Sequence, residues 1–137
     1  MKMVFADTLY RVAIVRPKDQ WQEPARRARA SLGGVRLLTT DEVLAEFLNT
    51  FSGRGEHLRR QAAKMVREIL ENPNVTVVPQ SRDSFLQGVH FYEQRAHRAY
   101  SLTDCISMKT MRSHAVSEVL TNDRHFADEG FTPLIGP

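Results

Sequence analysis

Four carboxylates set the chemistry this chain can do. Asp7, Glu46, Asp104 and Asp123 each stand where a strand-like run ends or a helix-like run begins. In an open α/β sheet such junctions converge at one edge, so acids distant in sequence would meet in one cleft. Clustered carboxylates repel and raise one another's pKa unless a cation neutralises them. Mg²⁺ or Mn²⁺ suits the cluster, being hard, oxygen-seeking and content with two or three carboxylates plus water. The chemistry expected of such a centre is phosphodiester hydrolysis.

Each acid also has a structural explanation. Asp7 directly follows the first strand, where a helix N-cap is a natural use of Asp. Asp104 lies three residues beyond Ser101, a cap, so it complements the dipole of a first helical turn. Asp123 reads as an N-cap after the fourth strand. On the third helix, Val43, Leu44, Phe47, Leu48 and Phe51 mark the buried stripe. Glu46 flanks that stripe, whereas Glu42 points more to solvent and Asp41 sits in the first turn. The helical wheel therefore selects Glu46 as the ligand candidate. Thr8 and Thr103 adjoin two of the acids and could orient a carboxylate.

The elements that must position these residues follow from hydrophobic period. Met3 to Ala6 is a short buried strand, and Leu9 to Val15 a helix closed before Pro17. Trp21, Ala25, Ala28 and Leu32 recur at helical spacing, ending at Gly33-Gly34. A second strand, Val35 to Leu38, leads to Thr39-Thr40-Asp41-Glu42, whose Thr39 and Glu42 have capping-box spacing for a helix reaching Phe51. A helix over 56–71 buries Leu58, Ala62, Met65, Val66 and Ile69, and Val75 to Val78 is the third strand. Further helices are expected from Asp83 to Gln94 and from Ser101 onward. The fourth strand spans Val119 to Thr121, a short helix runs through Phe126, and a last strand lies near Pro133 to Ile135. Alternating strands and helices predict an α/β fold with a mainly parallel sheet covered on both faces.

With 137 residues, no linker-like composition and no internal repeat, the chain is expected to form one domain over 1–137. No apolar run approaches a membrane span, and Asp7 and Arg11 interrupt the only signal-like stretch. Cys105 is the sole cysteine, so nothing calls for an oxidising compartment and a cytoplasmic location is expected. Cys105 on an apolar helix face reads as a core packer. The five histidines lack zinc-ligand spacing, and Gly33-Gly34 lacks the rest of either nucleotide fingerprint, which argues against ATP and NAD. Net charge is +3, and arginine outnumbers lysine by 15 to 4, a bias suited to bidentate phosphate contacts.

Four segments carry a family resemblance. Val4-Phe5-Ala6-Asp7-Thr8, Val43-Leu44-Ala45-Glu46-Phe47, Ser101-Leu102-Thr103-Asp104-Cys105-Ile106 and Leu120-Thr121-Asn122-Asp123-Arg124-His125-Phe126 resemble, in order, the acidic motifs of PIN domain nucleases. The match is strongest with small single-domain members grouped with VapC-type toxins. It implies a three-layer α/β/α sandwich and a metal-dependent endoribonuclease with Asp7, Glu46, Asp104 and Asp123 as the acidic quartet. A homodimer and inhibition by a cognate antitoxin are implied as well. Asp128 lies near enough to Asp123 to compete for the fourth place. Arg11, one turn after Asp7, and Arg124, beside Asp123, are candidates for contact with the RNA substrate. Arg26, Arg27 and Arg29, or the stripe Arg60, Lys64 and Arg67, could extend the rim, although solvated faces explain both groups.

Two competing readings are distinguishable. A non-catalytic RNA-binding or regulatory module on this scaffold would gain from losing acids at its cleft, yet all four are present. Aspartyl-phosphate phosphatases also begin with Asp after the first strand, but Leu9 occupies the place of their second Asp.

Overall fold

The computed structural model describes residues 1–136. Strands β1 (Met3–Ala6), β2 (Arg36–Thr40), β3 (Val75–Val78), β4 (Glu118–Leu120) and β5 (Thr132–Pro133) make one sheet in the order β3-β2-β1-β4-β5. Every pairing is parallel. The connecting helices are α1 (Thr8–Val15), α2 (Gln22–Leu32), α3 (Asp41–Thr50), α4 (Glu56–Glu71), α5 (Arg82–Gln94), α6 (Leu102–Ser113) and α7 (His125–Asp128). None of the described helices is long and apolar enough to cross a membrane.

Strand side chains alternate between faces, so a strand apolar at every position must be covered on both. Val4, Ala6, Leu37 and Leu120 turn toward Tyr10 and Ala13 of α1 and Ala25 of α2. Phe5, Leu38 and Val119 turn the other way, onto Phe91 of α5 and Cys105, Met108 and Met111 of α6. This is the three-layer α/β/α sandwich. Val12, Phe47, Phe51 and Ala62 form a third cluster that joins α1, α3 and α4. Cys105 is wholly buried, and burial pushes its thiol up to about 11, the state of an inert packer.

Several boundaries differ from the sequence reading for local reasons. Thr39 and Thr40 belong to β2, because they pair with Val77 and Val78 of β3. The α3 cap is therefore Thr40, whose side chain accepts from the Val43 N–H at 3.1 Å, and not Thr39. The Thr39 hydroxyl instead donates to the Ala6 carbonyl. Strand β4 stops at Leu120 because the Thr121 N–H turns back onto the Val119 carbonyl at 3.0 Å. Trp21 takes the N-cap position of α2 rather than its first turn, and it packs with Ala25, Ala28 and Leu32 as the spacing implied.

The layer formed by α5 and α6 is tied to the C-terminal end by Glu129, whose side chain is only 6% exposed. It accepts from Arg95 Nε at 2.7 Å, Arg112 Nη2 at 2.9 Å and the Tyr100 hydroxyl at 2.9 Å. These donors hold the carboxyl well below its usual range, at about 2. Its contribution to stability is complete above its ordinary value and is lost as pH falls toward 2. Glu129→Gln is expected to lower stability near neutral pH by about 2–3 kcal/mol, read by denaturant unfolding, since charge-assisted bonds are replaced by weaker ones.

Candidate active site

β1 is flanked by β2 on one side and β4 on the other, so the chain reverses its direction of sheet growth beside β1. Helix connections diverge at such a switch point and leave a crevice beyond the carboxyl ends of the strands. Asp7 leaves the end of β1, and Thr121, Asn122 and Asp123 leave the end of β4. Glu46 comes from the middle of α3 and Asp104 from the first turn of α6. The four acids line one cleft of about 820 Å³.

The carboxylates differ in how the protein holds them. Asp7 occupies the N-cap position of α1 yet makes no side-chain capping bond. Its Oδ2 accepts from the Thr121 hydroxyl at 2.9 Å. Thr121, wholly buried, also accepts from the Asp123 N–H at 3.1 Å and so couples two acids from neighbouring strands. Asp104 does cap its helix, because its Oδ2 accepts from the Ser101 N–H while the Ser101 hydroxyl accepts from the Asp104 N–H, both at 3.0 Å. Asp123 Oδ1 accepts from the His125 N–H at 2.9 Å and lies 3.2 Å from its Nδ1. The N-cap position of α7 falls to Arg124, which caps nothing with its side chain, rather than to Asp123.

Electrostatics bind the quartet together. Burial, with the charges of Asp104 and Glu46, raises the Asp7 carboxyl to about 7 although Thr121 opposes the shift. Asp104 is raised as well, first by burial and then by Asp123 and Glu46. One ligand atom each from Asp104, Asp123 and His125 lie within 4.8 Å of one another. Thr8 Oγ1 is buried on the cleft wall with no protein partner. Hard oxygen donors, mutual repulsion and an orphaned hydroxyl fit a divalent cation of the Mg²⁺ or Mn²⁺ type, and the imidazole extends the fit toward Mn²⁺.

Glu42 borders a separate groove with Gln80 and Arg82, so the two helix acids face different surfaces. If Glu46 serves the centre, Glu46→Gln lowers any metal-dependent activity by more than about tenfold and Glu42→Gln leaves it within about twofold. The reverse outcome in paired rate measurements would overturn the assignment to Glu46.

Not every candidate reaches the cleft. Thr8, Leu9, Val12 and Arg16 form the cleft face of α1, and Arg11 is turned away from it. Arg11 is instead 8% exposed, stacked on Tyr10 at 5.2 Å, and its Nε and Nη2 have no partner. Burial lowers its pKa, as does the nearby charge of Arg29. Arg124 is exposed outside the cleft wall, and Thr103 is half-buried outside it. Arg60 and Lys64 pair with Glu56 and Glu68 of their own helix, as solvated faces do. Conversely, Arg16, Lys18 and Trp21 line the cleft, although the sequence marked only Trp21, and that as part of a helical stripe. The signal available for them was Pro17, which ends α1 early and throws the next residues into a loop.

Comparison with known proteins agrees with this architecture. Similar solved structures include VapC20 of Mycobacterium tuberculosis, described as a toxin cleaving the sarcin-ricin loop, at 25% identity and a TM-score of 0.85 over 97% of this chain and 99% of that one. FitAB bound to a DNA fragment is similar at 18% identity and a TM-score of 0.67, covering 96% and 93% of the two chains. FitAcB from Neisseria gonorrhoeae follows at 17% and 0.62, covering 98% of each. No curated protein matches the chain in sequence. The PIN domain family matches residues 4–131, nearly the whole chain and all four acidic segments, so the chain belongs to the PIN domain family.

Proposed function

We propose that this PIN domain is a divalent-cation-dependent endoribonuclease and the toxin of a type II toxin-antitoxin pair. The observation that carries the catalytic reading is Asp7, a buried carboxylate raised to about 7 beside two further acids that line the same cleft. Asp7, Glu46, Asp104 and Asp123 would hold Mg²⁺ or Mn²⁺. A bound cation supplies Lewis acidity toward a phosphodiester and an attacking water. Thr121 fixes Asp7 and Asp123 relative to each other, and Ser101 leaves one oxygen of Asp104 free for the cleft. RNA is taken as the substrate by likeness to VapC20, which is described as a toxin cleaving the sarcin-ricin loop. The same likeness supports the toxin role, and a cognate antitoxin, a homodimer and work in the cytoplasm are proposed with it.

The test is incubation of a structured RNA with purified protein, with and without Mg²⁺ or Mn²⁺, followed by mapping of the ends. Cleavage should require the cation, and Asp104→Asn should reduce it by more than about 100-fold while retaining the fold, since Asn can still accept from the Ser101 N–H. Cleavage in chelator, or an Asp104→Asn rate equal to wild type, would reject the proposal.

A further inference from the structure

The connection between α1 and α2 is a built wall of the acidic cleft, and none of the four acids needs it. Arg16, Lys18 and Trp21 face the same cavity as Asp104 and Asp123. The loop is held firmly for a polar segment. The Gln22 amide donates to the carbonyls of Ala13, Ile14 and Arg16 at 3.2, 3.2 and 3.4 Å, which satisfies the open C-terminal end of α1. Asp19, with its side chain 8% exposed, accepts from the Trp21 N–H at 2.8 Å and pairs with Arg16 at 3.4 Å. Lys18 sits at φ +59, a conformation that non-glycine residues rarely adopt.

The exposed chemistry of this loop is cationic and aromatic. Lys18 is exposed and makes no ion pair among the described residues, while Arg16 is half-buried, its Nη1 shared with Asp19. Trp21 is half-buried, packed on the cluster around Ala25 along one part and open to the cleft along another, near the exposed Leu9. Cationic heads beside an aromatic surface are the two elements that hold a nucleotide, phosphate on one and base on the other. A base inside a duplex has both faces covered by its neighbours, so it can stack on a side chain only after it has left the helix.

We infer that the α1–α2 loop binds one unpaired nucleotide of the RNA, with its base stacked on Trp21 and its phosphate on Arg16 and Lys18, so that single-stranded or looped segments are selected over duplex. This rests on the nuclease reading above and names the form of RNA that reaches its centre.

Trp21 is the only tryptophan, so its emission reports the stacking directly. Asp104→Asn protein in Mg²⁺ is titrated with a short unpaired oligoribonucleotide, and binding is followed separately by anisotropy of the same strand carrying a dye. Emission should quench in step with binding. The strand annealed to its complement should bind at least about tenfold more weakly and leave emission unchanged. Trp21→Ala should weaken binding about tenfold, within the range seen when one stacking platform is removed. Arg16→Ala should flatten the log-log salt slope by about one unit. Because Trp21 also packs internally, thermal melts of each variant accompany the titrations, and quenching with Trp21 intact does not depend on them. Unchanged emission at saturating RNA overturns the inference, as does equal affinity for the duplex. In either case metal-dependent cleavage by the unsubstituted protein would still uphold the nuclease reading. Absence of both cleavage and RNA binding removes both.

Discussion

Asp7→Asn is expected to raise the melting temperature of the metal-free protein at about pH 8 by roughly 10 °C, while reducing RNA cleavage to background. Asp7 is 4% exposed and its carboxyl is raised from 3.8 to about 7, chiefly by burial. At about pH 8 it is ionised in the fold at a cost on the order of 4 kcal/mol, taking about 1.4 kcal/mol per pKa unit. An Asn in its place keeps an oxygen to accept from the Thr121 hydroxyl and carries no charge to desolvate. A domain of this size shifts by a few degrees per kcal/mol, which gives the expected rise. The charge destabilises the fold, and under the proposed function it serves a cation, so stability and activity should move in opposite directions. Thermal melts in chelator and cleavage assays in Mg²⁺ check the two halves. A melting temperature that falls would show that the carboxylate is held by something other than an awaited cation.

Much of this site was readable from local pattern. The strands are short runs with apolar centres, wholly apolar in β1, and a parallel sheet covered on both faces favours that composition. Asp7 and Asp123 could be placed because each follows such a run directly, and topology then brings strand ends together. Glu46 followed from angle on a helix, since Val43 and Phe47 fix which face is buried. Arg11 was misplaced for the same geometric reason. One helical turn after Asp7 sounds near, yet the cleft face of α1 runs through Thr8, Val12 and Arg16, and Arg11 lies off it. Thr121 was legible only as a strand residue. Its bridge between Asp7 and Asp123 depends on the tight turn after Leu120 and on a contact 114 residues away in sequence. Arg16 and Lys18 fall in no period, and the helical spacing of Trp21 marks it only as a packing residue. The order of their loop comes from the hydrogen bonds of Gln22 and Asp19, which no spacing rule announces.

Without metal, stability should be greatest near pH 4.5, fall by on the order of 3 kcal/mol between there and about pH 7.5, and then level off. Asp7 holds a proton in the fold that the unfolded chain releases near 3.8, so between 3.8 and about 7 the folded state binds more protons. Stability therefore declines as pH rises through that window, at about 1.4 kcal/mol per unit, and the decline saturates once the folded carboxyl is ionised. Asp104, also raised by burial, acts in the same direction. Glu129 works on the opposite side, because its pKa is lowered to about 2 and its support is complete above 4.5 and lost in stronger acid. Under the proposed function Mg²⁺ at millimolar concentration would compete with protons for the same oxygens, so it should restore most of the loss at neutral pH and have little effect near pH 4.5. Urea unfolding at several pH values, in chelator and in Mg²⁺, gives both curves. Parallel curves would mean that the cation does not bind at Asp7, whereas curves that separate only above about pH 5 would tie proton release and cation binding to one buried carboxylate.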